Sequence, residues 1–534
     1  MTASSENLAI NPWVVAISVM LGTFMEVLDT TVINVALPHI AGNLSATYDE
    51  STWVLTSYLV SNAIILPMTG WLARTFGRKR LLMTAVGGFT LSSLACGLAP
   101  NLPLLIFFRV LQGATGGGLQ PLSQAIMLEA FPPKKRGQAM AFFALGIVVA
   151  PMLGPVVGGW LTDSFSWRWV FFINLPIGLA SLFLINQNLF DPPYLKKKLN
   201  ETVDYWGMMF LILGIGALQI FLDKGQQEDW LSSNYIRGLA VISAVALVSF
   251  VVRELRIEHP ILDLRVLHHR SYTTGLLMMT VLGFALYGSM VLLPLWLQTL
   301  MGYSAYDAGI ATLPRGMGSF LFMPIIGMLM TKVDPRKLLV VGLTVSGLTM
   351  IWLGSINLQV GFWQIAWPQI LQGASMGMLF VPLNTISNDS ISKEKLGNAT
   401  SLFNLMRNIG GSVGIAMVTT IYARRTQANT RTFGANINEY NTVAQQYLSG
   451  VKAALVQAGA DPVTAARQAY NVAFLTLQRE AAMLSFVKCF RLLGILFLLM
   501  IPMVAMMKQL RHLRKPGEAG STAEEAGAEA AILD

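Results

Sequence analysis

Fourteen apolar runs of about twenty residues each partition this 534-residue chain, and about twenty apolar residues is what one helix needs to cross a bilayer. They begin near Trp13, Trp53, Leu81, Leu104, Ala139, Trp169, Trp206, Tyr235, Tyr272, Gly309, Leu338, Trp363, Leu402 and Ala482. Several open on Trp or Tyr, residues that anchor helix ends at the membrane–water interface. Lipid offers no hydrogen bonds to a bare backbone, so such runs must be helical. The expected class is therefore an all-α integral membrane protein. Trp206–Leu222 is the shortest span, and discounting weak spans would lower the count to thirteen or twelve.

Charge supports this reading and fixes an orientation. Only 12% of residues are charged, against about a quarter in soluble domains. The net charge of +9 could suggest nucleic acid, but no aromatic-basic face or binding motif accompanies it. The basic residues instead cluster in alternate loops. Arg74, Arg78, Lys79 and Arg80 follow the second span, and Lys134, Lys135 and Arg136 the fourth. Lys196–Lys198 follow the sixth, and Arg253, Arg256, Arg265 and Arg270 the eighth. Lys332, Arg336 and Lys337 follow the tenth, Lys393 and Lys395 the twelfth, and Lys508, Arg511, Arg514 and Lys515 the last. The loops after spans one, three and eleven carry no Lys or Arg. By the positive-inside rule both termini are expected in the cytoplasm, with an even number of spans.

The expected organisation is a short cytoplasmic N-terminus (1–12), a six-helix bundle (13–190) and a linker holding two inserted helices (191–270). A second six-helix bundle (271–507) follows, with an outer loop (424–480) in which Asp461–Arg479 should form a short surface helix, and then a disordered cytoplasmic tail (508–534). Met1 to Pro12 lack the basic start of a signal peptide, so the first span should be retained. Arg109-x-x-Gln112-Gly113 in span four is echoed by Gln369-x-x-Gln372-Gly373 in span twelve. Paired halves around a central pathway are the architecture of alternating-access carriers. Cys96 and Cys489 both lie in apolar runs, without the spacing of a disulfide framework or metal site. No Gly-x-x-x-x-Gly-Lys-[Ser/Thr] loop for ATP is present. Neither a metal nor an organic cofactor is expected, and no nucleophile–base pair suggests an enzyme.

The sharpest chemistry lies in span one, where Glu26 and Asp29 share a helix face one turn apart. Carboxylates inside a span are costly and functional by default. Poor solvation and mutual repulsion favour a proton on one of the two, as a proton-coupled carrier requires. If both instead border a water-filled mouth, both stay ionised. Arg109 is a second charge within the membrane and needs a buried acceptor. Asp29 is the preferred partner, in a pair that proton binding would weaken; a purely structural pair is the alternative. Gly146, Ala150, Gly154 and Gly158 give span five a close-packing stripe, and Pro151 and Pro155 can bend it. The polar residues Glu26, Asn34, Gln112, Asn384, Asn404 and Arg407 are candidates to line a substrate cavity, although Asn384, Asn404 and Arg407 suit helix–helix hydrogen bonds more simply. Arg315 and Asn408 belong to that second category too.

These residues match a known pattern. The chain resembles the major facilitator superfamily and, within it, the fourteen-helix drug:proton antiporters of the EmrB/QacA type. Gly70-Trp71-Leu72-Ala73-Arg74-Thr75-Phe76-Gly77-Arg78-Lys79 is similar to the superfamily's Gly-x-Leu-Ala-Asp-Arg-x-Gly-Arg-Lys loop. Arg109–Gly113 looks like its Arg-x-x-Gln-Gly motif, and Gly154-Pro155-x-x-Gly158-Gly159 like its antiporter motif. Leu28–Pro38 and Trp167–Pro176 are similar to segments of the fourteen-helix group. The resemblance implies a coupling role for Asp29 and Arg109, and gating or structural roles for Gly70, Gly77, Arg78, Gly113, Gly154, Pro155, Gly158 and Gly159. It also implies export across a bacterial inner membrane, with a periplasmic adaptor and an outer-membrane channel engaging the 424–480 segment. Arg74 and Thr75 depart from the pattern, because the usual acidic contact to a neighbouring helix end cannot form through Arg74. Glu26 is an addition that favours cationic substrates.

The expectation is a proton-driven exporter of lipophilic, often cationic drugs that works by rocking two bundles about a central cavity. A dedicated exporter of one metabolite, lipid or siderophore is the rival within transport; a membrane-embedded enzyme or signalling protein is the rival outside it.

Overall fold

The computed structural model describes residues 11–191 and 204–507, apart from 259, 390 and 439. The Lys196–Lys198 cluster, the basic cluster from Lys508 to Lys515, the tail 508–534 and all but the end of the 1–12 segment lie outside the described residues. Among the described residues there are fourteen long helices at the expected positions. They are α1 Pro12–Asn43, α2 Trp53–Phe76, α3 Arg78–Leu98, α4 Leu102–Ala130, α5 Arg136–Ser164 and α6 Asn174–Asn188. The inserted pair is α7 Tyr205–Lys224 and α8 Asn234–Arg256. The second half has α9 Arg270–Thr299, α10 Ala305–Leu329, α11 Pro335–Leu353, α12 Phe362–Asp389 and α13 Leu396–Gly434. A helix outside the bundle, α14 Thr442–Gln457, precedes the last span, α15 Pro462–Leu499.

Among the described residues, twelve helices are long and apolar enough to cross a membrane by composition alone; α12 and α13 fall short. The reason is chemical. These two carry Gln369, Gln372, Asn384, Asn388, Asn404 and Arg407, all buried inside the bundle and away from lipid. The lateral surface has the opposite character: Leu91, Val245 and Leu499 are 69%, 62% and 67% exposed, which is sensible only against hydrocarbon chains.

Helix starts follow local chemistry. Asn11, Asn101, Asp204, Ser304, Asp334 and Asp461 each accept a hydrogen bond from a backbone N–H in the first turn of α1, α4, α7, α10, α11 and α15, satisfying donors that the helix leaves free. The α4 helix is interrupted at Gly117–Gly118, between segments Leu102–Gly116 and Leu119–Ala130. Within the first half, α1 packs on α5 and α2 on α4; within the second, α9 packs on α13 and α10 on α12. The halves meet along α5–α10 and α2–α13, and α7 lies against both α2 and α13.

The outer segment is more helical than a loop. The α13 helix continues to Gly434, and Asp461–Arg479 is no separate surface helix, because α15 runs unbroken from Pro462 into the membrane. Leu448 of α14 packs with Ala469 and Ala473 of α15 in a small core of its own. Helical periodicity is legible there; the polar run Gln478-Arg479-Glu480 suggests an end before Ala482, but with no Gly or Pro between Leu475 and Arg479 nothing breaks the helix.

Candidate coupling site

Asp29 and Arg109 meet, as the buried charges require. Arg109 Nη1 donates to Asp29 Oδ2 at 2.6 Å, and both side chains are fully buried. Gln112 Nε2 and Asn174 Nδ2 donate to Asp29 Oδ1 at 3.1 and 2.7 Å. The guanidinium also donates to the Val54 carbonyl at 3.0 Å and to Gln112 Oε1 at 2.7 Å. It lies 4.1 Å from the Tyr58 ring centroid, a cation–π contact strengthened by desolvation. Thus α1, α2, α4 and α6 meet at one ion pair, with α4 and α6 supplying the donors to its carboxylate and α2 contacting its guanidinium. Gly113 makes this possible, since a Cβ there would sit 2.3 Å from the Tyr58 carbonyl oxygen and 2.1 Å from Ser61 Oγ.

Glu26 has a different environment. It lies about 21 Å from the start of α1 at 1.5 Å per residue, near the middle of that 32-residue helix. Its carboxylate accepts from Asn62 Nδ2 at 3.0 Å and from Gln120 Nε2 at 2.9 Å. Gln120 Oε1 in turn accepts from Arg407 Nη2 of α13. Glu26 is therefore wired to a cation of the opposite half through one amide, whereas Asp29 is satisfied within its own half. Thr30 and Asn34 continue the Glu26 stripe at four-residue steps; Glu26 is buried, Thr30 half-buried and Asn34 exposed. The stripe opens away from the face that carries the basic loops.

On that basic face the halves are joined. Gln124 Nε2 donates to Asn384 Oδ1 at 2.5 Å, and Asn404 Nδ2 donates to Gln124 Oε1 at 2.5 Å. Thr400 Oγ1 donates to the Pro121 carbonyl at 3.1 Å, and Arg136 stands 3.9 Å from Asp389. Polar helix–helix bonds in membrane proteins contribute on the order of 0.6 kcal/mol each, so this seal is sufficient to hold and weak enough to open.

The departure at Arg74 has a structural answer. Asp263, in the linker after α8, places its carboxylate 3.0 Å from Lys395 at the start of α13. Its backbone N–H donates to Asn398 Oδ1 at 3.0 Å, and Asn398 Nδ2 donates back to its carbonyl at 2.9 Å. A carboxylate at a helix N-terminus is favoured by the helix dipole. Arg74 turns to the same linker and donates to the Pro260 carbonyl at 3.4 Å. Gly70 lies where a Cβ would come within 2.9 Å of the Asn398 backbone, so α2, the linker and α13 meet at one point.

The remaining expected residues fall into place around these contacts. Gln112 is fully buried with the ion pair and does not line the opening, and Asn384 and Asn404 belong to the seal. Arg78 pairs with Glu129, and Gly77, at φ 87°, starts α3 beside Asp191, which accepts from Lys79 N at 2.9 Å. A Cβ at Gly154 would strike Thr31, and one at Gly158 would stand 2.7 Å from the Val32 carbonyl, so both glycines bring α5 onto α1. Gly159 and Pro155 face α10, near Tyr306 and Gly309. Sequence reasoning missed Asn62, Tyr58, Gln120, Gln124, Asn174 and Asp263. Gln120 and Gln124, polar residues four apart in an apolar run, were a usable signal; Asp263, in a loop, gave none.

Paired bundles with a buried ion pair in one half and a polar seal between the halves define a membrane transporter. The chain belongs to the Major Facilitator Superfamily, whose family model matches residues 19–415. It is 41% identical to "Multidrug export protein EmrB" of Haemophilus influenzae, covering 81% of this chain and 84% of that one. It is 40% identical to "Fatty acid resistance protein FarB" of Neisseria gonorrhoeae, covering 81% and 85%. Among solved structures, the human organic anion transporter MFSD10 (TETRAN) matches with a TM-score of 0.59 at 13% identity, over 92% of this chain and 99% of that one, a likeness of fold alone.

Proposed function

We propose that this protein is a proton-coupled multidrug exporter of the bacterial inner membrane, its basic face and both termini in the cytoplasm. The observation that carries the reading is the division of labour between two carboxylates one turn apart on α1. Asp29 is locked with Arg109 inside the first half, while Glu26 lies at the buried end of a stripe that becomes exposed through Thr30 and Asn34, and it reaches Arg407 of the second half through Gln120. With the cytoplasmic side sealed, the opening faces outward. Rocking the halves to open the cytoplasmic side must part Gln120 from Arg407, so the occupancy of Glu26 and the state of the seal are coupled. A proton arriving from outside at Glu26 competes with a cationic substrate, and proton binding at Asp29 weakens its hold on Arg109; inward proton movement thereby drives outward export. No organic cofactor or metal takes part. Likeness to the EmrB proteins supports the drug-export reading, and likeness to FarB favours a second one, export of apolar acids.

The test is ethidium transport in proteoliposomes with an imposed pH gradient. Wild type should accumulate ethidium against its gradient, and Glu26→Gln should retain downhill exchange while losing the response to pH. No gradient-driven movement of ethidium, together with uptake of an apolar acid, would shift the reading to the second substrate class. The outer helices extend it to assembly. Tyr440, Val443, Val463 and Leu475 are 93%, 72%, 66% and 61% exposed outside the membrane bundle, an apolar surface suited to a periplasmic adaptor that joins an outer-membrane channel. Replacing Tyr440, Val443 and Leu475 by serine should abolish co-purification of an adaptor from native membranes without lowering proteoliposome transport; retained co-purification would exclude this surface.

A further inference from the structure

The two halves repeat the ion-pair site, with one component missing from the second. Ser289, Gln369, Gln372 and Gly373 each lie 260 residues after Asp29, Arg109, Gln112 and Gly113. The geometry repeats as well as the numbering. A Cβ at Gly373 would stand 1.9 Å from the Arg315 carbonyl oxygen, just as one at Gly113 would crowd the Tyr58 carbonyl. Arg315 of α10 thus occupies the place of Tyr58 on α2. The cation has moved from α4's counterpart to α2's counterpart, and the carboxylate has become a serine.

Arg315 is buried with neutral acceptors only. Its Nε donates to Gln369 Oε1 at 2.8 Å, Nη2 to Gln372 Oε1 at 2.6 Å and Nη1 to Ser289 Oγ at a long 3.4 Å. Among the described residues, no carboxylate forms an ion pair with it. Both glutamines turn their oxygens to the guanidinium, which fixes their amide orientation and leaves both Nε2 groups as buried donors without an acceptor. In the first half, the donor matching Gln372 Nε2 is Gln112 Nε2, and it is Asp29 that accepts from it. A guanidinium and two unsatisfied amides converge where the repeat has lost its anion. A buried charge left uncompensated is strongly unfavourable.

We propose that the cluster of Arg315, Gln369, Gln372 and Ser289 is a binding site for a monovalent anion. Chloride or the carboxylate end of a substrate supplies the charge that Asp29 supplies in the first half. The inference does not rest on the export reading above. It is tested on the purified full-length protein by thermal unfolding in sodium chloride, sodium gluconate and sodium gluconate with decanoate, at equal ionic strength. A ligand that binds the folded state raises the midpoint with its concentration. Wild type should show a saturable rise of a few degrees in chloride if the source is the ion, or with decanoate if it is a carboxylate. Ser289→Asp places the carboxylate in the chain and should abolish the rise, with a midpoint in gluconate at or above wild type's. Should Ser289→Asp fail to fold, Arg315→Gln, which removes the cation, must likewise abolish the rise. A wild-type midpoint unchanged by both anions, or a rise that survives in the folded variants, overturns the site.

Discussion

Replacing Asp29 by asparagine is expected to bring gradient-driven ethidium transport down to the level of protein-free vesicles. The argument is the geometry around one carboxylate. Arg109, Gln112 and Asn174 donate to it from α4 and α6, and nothing in this fully buried pocket can replace its charge. Asparagine matches the shape and keeps one acceptor oxygen, yet Arg109 is left as an unpaired buried cation. Removing one partner of a buried pair costs about 3–5 kcal/mol, so the unfolding temperature should fall as well. The discriminating comparison is Glu26→Gln, whose carboxylate accepts from two neutral amides and whose replacement should leave the unfolding temperature near wild type. Full transport by Asp29→Asn would show that the pair is structural and would shift the coupling role to Glu26.

Gly113→Ala should be nearly as damaging by an unrelated route. Its Cβ would lie 2.1 Å from Ser61 Oγ and 2.3 Å from the Tyr58 carbonyl oxygen, and a backbone atom cannot step aside as a flexible side chain can. The α2 and α4 helices must separate, which costs about 1–3 kcal/mol for overpacking alone. Their separation also lifts Tyr58 off the Arg109 guanidinium, 4.1 Å below its ring centroid, so the ion pair is disturbed with the packing. The expected result is loss of the monodisperse peak in size-exclusion chromatography and loss of transport. Gly42→Ala, where nothing lies within 4 Å of the new carbon, is the control that should behave as wild type. A folded, active Gly113→Ala would mean that the close approach is dispensable.

Much of this architecture is legible in the sequence because lipid imposes strong rules. Hydrophobic length marks the spans, and the cost of charges in hydrocarbon singles out Glu26, Asp29 and Arg109 before any fold is known. An acid on span one is the simplest partner for Arg109, and Asp29 is the preferred one of the two that span carries. What the sequence conceals is the neutral chemistry. Asn62 and Asn174 are amides, common enough in spans to look like incidental helix contacts, and even Gln120 and Gln124, whose spacing marks one face, show their partners only when the helices meet. The same holds for Arg315, whose meaning depends on what is absent at Ser289. Asp263 is hidden for a different reason: periodicity carries no information about how a linker folds back.

The placement of Asp263 changes the status of the inserted helices. A pair of spans placed between two complete bundles looks removable, leaving a twelve-helix carrier. Here the linker of the inserted pair is tied to both halves: Asp263 engages Lys395 and Asn398 at the start of α13, and Arg74 at the end of α2 donates to the Pro260 carbonyl. Excising the inserted pair would therefore also remove the carboxylate at the head of α13 and the carbonyl that accepts from Arg74.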